Sequence, residues 1–126
     1  MDIYRELILD HYKHPRNFGH LENPDVTQEE GNVTCGDKIS MEVQLSTVNS
    51  QLSIRDVRFS GEGCAISQAS ASMLTEKVIG MSIKNIMKLA TEDILKMLGT
   101  SLAPSRIKCA MLSLEVLQKA IITYGR

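Results

Sequence analysis

Ile39, Met41, Val43 and Leu45 alternate with Ser40, Glu42 and Gln44. A period of two puts each set on its own face of an extended chain, so residues 39–45 are predicted as a half-buried strand. Asn49-Ser50 marks a turn, and a second strand runs on to Phe59. Within it Leu52 and Ile54 hold one phase, while Val57 and Phe59 hold the other. The slip at Arg55-Asp56 points to a bulge or to a second short segment. The two strands are expected to pair as an antiparallel hairpin.

Elsewhere the apolar spacing is helical. Residues 2–13 read as a helix with Asp2 as its cap, and Ile3, Leu7 and Tyr4, Ile8, His11 line one side. His14-Pro15 ends it, because the residue before proline avoids the helical region. Residues 16–34, RNFGHLENPDVTQEEGNVT, show neither period and read as a long loop. After Gly61-Glu62-Gly63 a helix is predicted from about Ala65 to Ile79, stopped at Gly80. Its Ala65, Ala69 and Ser72 lie near one face and leave room for another backbone beside Cys64. Two short helices follow over 82–89 and 91–98, then a connector over 99–103. Pro104 opens a last helix that reaches about Tyr124, with Gly125 at its end. Strands grouped early and helices later predict an α+β fold, with a small, mostly antiparallel sheet and helices packed on one face.

The chain has 126 residues, which is the size of one domain over 1–126. Net charge is −1 and the basic residues are scattered, which argues against nucleic acid or an anionic membrane as partner. Aromatic residues are 4% with no Trp, so base-stacking platforms are not expected either. No apolar run approaches the ~20 residues that span a bilayer. The opening MDIYRELILDHY is acidic where a signal peptide is basic, so a cytoplasmic protein is expected.

Three cysteines, Cys35, Cys64 and Cys109, carry the candidate chemistry. An odd number suits a disulfide framework poorly, and no CxxC pair signals a metal knuckle. Cys35 and Asp37 lie in NVTCGDK, leading into the first strand. Either Asp37 bonds nearby backbone N–H groups in a turn, or thiolate and carboxylate converge on one cation. Cys64 stands at the start of a helix, where the dipole favours a thiolate, although a buried small thiol fits there equally. In the last helix Ile107, Ala110, Met111, Leu114, Leu117 and Ile121 form an apolar stripe. Cys109 lies about 200° from Ile107, off the centre of that stripe. Leu112, Val116 and Ala120 make a second strip on the Cys109 side, so packing and function both stay open. Lys108 beside it either stabilises a thiolate or is a solvated charge. His11, His14 and His20 read as surface or packing residues, and the seven Met as core filler.

Four segments carry a resemblance: YRELILDHYKHPRNFG, TCGD, GEGCAISQASASMLTE and RIKCAML. Together they resemble the U-type iron–sulfur cluster assembly scaffolds, the family of IscU, SufU and the N-terminal domain of NifU. GEGCAIS with ASASM resembles the SufU branch; the IscU and NifU branches usually show a YGCGSA type of sequence there. The resemblance implies a SufE/NifU-like α+β domain whose three cysteines meet at one exposed end beside the aspartate of CGD. Carried over, the metal site is Cys35, Asp37, Cys64 and Cys109, and the cluster ligands are Cys35, Cys64 and Cys109. There are departures. Lys108 stands where IscU members usually have His, the stretch between the second and third cysteines is too short for the usual SufU insertion, and LAPSR replaces the LPPVK chaperone segment.

What the resemblance implies about function is a scaffold and sulfur acceptor. A cysteine desulfurase would place sulfur on Cys35, and a transient [2Fe–2S] cluster would form from iron and pass to cluster-accepting apo-proteins. The loop position of Cys35 gives it the reach that attack on a persulfide requires. The implied state is a monomer that pairs transiently on cluster formation, more a scaffold and sulfur carrier than a true enzyme. The alternative is a SufU-like, zinc-dependent sulfurtransferase in which Zn²⁺ is integral. A small protein with structural zinc only is a third reading, disfavoured by the slack cysteine spacing.

Overall fold

The computed structural model describes residues 3–33 and 36–125. The order of elements is α1 (Ile3–Lys13), β1 (Val26–Asn32), β2 (Asp37–Val48), β3 (Gln51–Glu62), α2 (Ala65–Val78), α3 (Ile83–Ile86), α4 (Thr91–Leu98) and α5 (Pro104–Tyr124). The three strands form one antiparallel meander, ordered β1-β2-β3. Helices α2, α3 and α5 contact the sheet, and α1 packs on α2.

The hairpin follows its sequence. Asn49 and Ser50 both take positive φ, 52° and 64°, between the paired residues Val48 and Gln51. Two-residue turns of this kind match the twist of the flanking strands. The register shifts after Gln44: Gln44 faces Asp56, and Leu45 faces Ile54, so Arg55 is the extra residue. That single insertion lets Ile54, Val57 and Phe59 share one face with Leu45, Val43 and Met41. Of these, all but the half-buried Leu45 are buried. Of the bulge and the second short segment weighed at Arg55-Asp56, the structure has the bulge within one continuous strand, and both strands run longer than the alternation alone marks.

Residues 16–34 are not all loop, because β1 occupies Val26–Asn32. Its inward positions are Val26, Gln28, Glu30 and Asn32, three of them polar. They are covered by α5, where Lys119 pairs with Glu30 and the Thr123 hydroxyl meets Gln28 at 3.3 Å. An apolar alternation never arises, so the strand is silent in the sequence. The rest of this segment runs along the open edge of β3 and then over the outer face of the sheet. Asn17 and Gly19 bond the backbone of Phe59, and Glu42 accepts from the Leu21 N–H.

Helix α2 is buried on nearly every side: Ser67 through Thr75 are all buried, as is Val78. Close approach of another backbone occurs, at Ser70, whose hydroxyl donates to the Ala110 carbonyl of α5 at 2.7 Å. Ser72 instead faces α1. Its Oγ lies 2.8 Å from His11 Nδ1 and accepts from the Arg16 N–H at 2.8 Å. The cap expected of Asp2 lies outside the described residues.

His11 is 5% exposed, and burial holds its imidazole below the ordinary value of about 6.5, with Arg16 acting in the same direction. The unfolded chain therefore takes up a proton first as the pH falls. The contribution of this residue is intact above about pH 6.5 and is lost on acidification through that value and below. Urea denaturation at pH steps down to about pH 5 should show stability falling, with a shallower fall in His11→Gln. A second outcome concerns the turn. Ser50→Gly removes the side-chain penalty of a positive φ, and should raise stability by up to about 1 kcal/mol in the same assay.

Candidate metal centre

The hairpin register delivers the first part of the site. Lys38 pairs with Glu62, so the start of β2 lies beside the end of β3. Asp37 is the first residue of β2, not part of an exposed loop, and is 3% exposed. From Glu62 the chain turns at Gly63 into Cys64, the N-cap of α2. The Cys64 N–H donates to Asp37 Oδ1 at 2.8 Å, and the Cys64 thiol lies 3.7 Å from Oδ2. Gly63 permits this approach: a Cβ there would stand 2.1 Å from Asp37 Oδ1 and 2.9 Å from its Cα, and φ is +145°.

Helix α5 delivers the other part. It contacts α2, β1 and β2, and Lys108 and Leu112 in its N-terminal half line a hollow with Asn32 at the end of β1. The Ser70 hydroxyl fixes Ala110, next to Cys109. Cys109 is fully buried, with its thiol 3.7 Å from the Ser105 carbonyl. The strip through Leu112, Val116 and Ala120 is thus the more buried one, while Ile107 and Met111 are only half-buried. One ligand atom each from Asp37, Cys64 and Cys109 lie within 4.8 Å of one another.

This donor set fits a thiophilic cation. Zinc holds sulfur at about 2.3 Å and carboxylate oxygen at about 2.0 Å, so a tetrahedral ion sets such a pair about 3.5 Å apart. The observed 3.7 Å between Cys64 Sγ and Asp37 Oδ2 needs little adjustment. Two soft sulfurs and one hard oxygen suit zinc or iron–sulfur chemistry, not magnesium or calcium. Beside the site an open cleft is lined by Glu29, Glu30, Gly36, Asp37, Lys38 and Glu62. Its acidic excess draws cations towards the opening.

Of the four residues carried over as ligands, three meet. The fourth, Cys35, lies outside the described residues. Lys108 is exposed and lines a separate hollow with Asn32, Leu112 and Glu115. His14 and His20 are exposed, His20 pairing with Glu42, and His11 is a packing residue. Sequence reasoning missed the role of Gly63 and of the Cys64 amide. Its only trace in the sequence is the glycine directly before the cysteine in GEGC.

The family model described as NifU-like N terminal domain matches residues 3–126. The chain is 37% identical to the zinc-dependent sulfurtransferase SufU of Bacillus subtilis, over 94% of this chain and 89% of that protein. It is 40% identical to the iron–sulfur cluster assembly scaffold protein IscU of Aquifex aeolicus, over 96% of this chain and 75% of that one. A crystal structure of a putative iron–sulfur cluster assembly scaffold protein for the SUF system of Fervidobacterium islandicum superimposes with a TM-score of 0.78 at 28% identity. That match covers 92% of this chain and 94% of the other.

Competition with a chromophoric chelator measures the site directly. Cys64→Ser and Cys109→Ser should each weaken zinc at least about tenfold, since each removes a converging donor. Wild-type affinity in both variants would sink the site.

Proposed function

We propose, for a chain that belongs to the family of NifU-like N-terminal domains, that it accepts sulfur from a cysteine desulfurase and carries it in iron–sulfur cluster assembly. The observation that carries the reading is the meeting of Asp37, Cys64 and Cys109 ligand atoms within 4.8 Å. Cys35 is the proposed acceptor and fourth member of the set. Its thiolate attacks the outer sulfur of the desulfurase persulfide; the new S–S bond forms on Cys35 as the enzyme's cysteine thiolate leaves. The cargo of the scaffold is a [2Fe–2S] cluster built from iron and from this sulfur, two electrons reducing each persulfide sulfur to sulfide; two Fe²⁺ passing to Fe³⁺ supply two of the four, and an external electron donor supplies the rest. Cys35, Cys64 and Cys109 hold it, and the hard Asp37 carboxylate makes the weakest contact. A weak fourth contact suits a cargo that is handed on to an acceptor protein.

A second reading is a zinc-dependent sulfurtransferase. It is favoured by the 37% identity to a protein of that name and by the fit of the donor set to zinc. In this reading Cys35, Asp37, Cys64 and Cys109 would hold the zinc, which would keep their thiols deprotonated at neutral pH. The chain's own residues present Cys35 to the desulfurase.

Anaerobic reaction with a desulfurase, cysteine, Fe²⁺ and a reductant separates the two, with zinc measured before and after. The scaffold reading expects a [2Fe–2S] absorbance that can be transferred, and a longer-lived cluster in Asp37→Ala. A protein that accepts sulfur yet never builds a transferable cluster, and whose Asp37→Ala variant loses zinc and desulfurase stimulation, is the sulfurtransferase. Under both readings mass spectrometry should find the persulfide on Cys35. Sulfur accumulating on Cys109 while Cys35 stays bare would overturn the acceptor assignment.

A further inference from the structure

The Asp37 carboxylate sits in an asymmetric environment. Oδ1 accepts a well-formed hydrogen bond, 2.8 Å, from the Cys64 N–H. Oδ2 faces the Cys64 thiol at 3.7 Å, and a thiol is a weak donor. The residue is 3% exposed, so water is largely excluded from it. A buried carboxylate is costly unless both oxygens find strong partners. One oxygen here is fully engaged by the fold, and the other is left to a weak donor at the point where two thiol-bearing side chains converge.

Gly63 is what makes the arrangement achievable. A Cβ at this position would fall 2.1 Å from Oδ1 and 2.8 Å from Cγ of Asp37. No rotation of a methyl group relieves such an overlap. Either the carboxylate leaves the Cys64 amide, or the turn between β3 and α2 opens. Both move Oδ2 away from the sulfurs.

We infer that the two oxygens of Asp37 have separate roles, Oδ1 locking the start of α2 to the start of β2 and Oδ2 serving as a one-oxygen ligand, and that Gly63 is the positioning residue that sets this division. The inference deepens the metal-site reading above and rests on it for the role of Oδ2. The lock itself is a property of the metal-free chain. It favours one-oxygen ligation, because one lone pair of Oδ1 is already committed to the amide. Gly63 acts through Asp37 and touches no ion.

Four full-length proteins test this: wild type, Asp37→Asn, Asp37→Ala and Gly63→Ala. Each is stripped with chelator, denatured in urea without metal, and titrated with zinc alone against a competing chelator. Asn keeps an acceptor for the Cys64 N–H but offers no charged ligand. Metal-free Asp37→Asn should therefore unfold at a urea midpoint no lower than wild type, while Asp37→Ala unfolds at a lower one. Both should bind zinc at least about tenfold more weakly. Gly63→Ala should lower the midpoint and weaken zinc as far as Asp37→Ala does. Adding Gly63→Ala to Asp37→Ala should weaken zinc clearly less than it does in wild type, because the part of the effect that passes through the carboxylate is already gone and only the contact with the Asp37 Cα and the positive φ remain.

A metal-free Asp37→Asn as unstable as Asp37→Ala would overturn the lock. Wild-type zinc affinity in Gly63→Ala, or a loss as large when it is added to Asp37→Ala as when it is added to wild type, would overturn the positioning role. If Gly63→Ala does not fold, the Asn and Ala variants of Asp37 still decide the division between the oxygens. A wild-type protein that binds no zinc would remove the ligand role of Oδ2, and the metal-free comparison would still judge the lock.

Discussion

The hydrogen bond from the Cys64 amide to Asp37 is the contact on which the site depends. It joins the first residue of β2 to the N-cap of α2, and the whole hairpin lies between them in sequence. The bond is available only if the hairpin closes in the right register. That register is secured by the two-residue turn at Asn49-Ser50 and by the extra Arg55. Without the insertion, Val57 and Phe59 would turn to the solvent face, and Glu62 would no longer lie opposite Lys38. A packing requirement at the middle of the sheet thus fixes where a carboxylate meets an amide at its end.

The third ligand arrives by a different route. Cys109 belongs to α5, which is held against α2 through Ser70 and against β1 through Lys119 and Thr123. Small buried groups on α2 allow the close approach, and polar groups on β1 hold the far side. Sheet and helix layer therefore each bring part of the donor set, and the donors share one place because the layers pack in one way. Among the described residues no helix is long and apolar enough to cross a membrane.

Much of this was legible in the chain. The alternation of Ile39, Met41, Val43 and Leu45, the phase slip before Val57, and the Gly and Pro punctuation marked the hairpin, its bulge and the helices. Strand β1 was not legible, because its inward residues Gln28, Glu30 and Asn32 meet polar partners on α5 and leave no apolar period. The burial of Cys109 was hidden by two competing strips on one helix. For Asp37 the turn alternative is not what the geometry shows: one oxygen does bond a backbone N–H, but that of Cys64 across the hairpin, and the other faces the Cys64 thiol. Pattern alone did not select the ligand set. The resemblance did, and the geometry brings together the three members it describes.

Helix α2 has a consequence for the cost of building this end of the molecule. Its interior run Ser67–Thr75, SQASASMLT, is made largely of Ala and Ser. Side chains of this size have few or no rotamers to lose, whereas Leu, Met or Lys at the same places would each forfeit about 0.5–2 kcal/mol of rotational freedom on burial. A helix enclosed on nearly every side is thus ordered at low entropic cost. The residue at its mouth, Cys64, inherits a rigid mount from it.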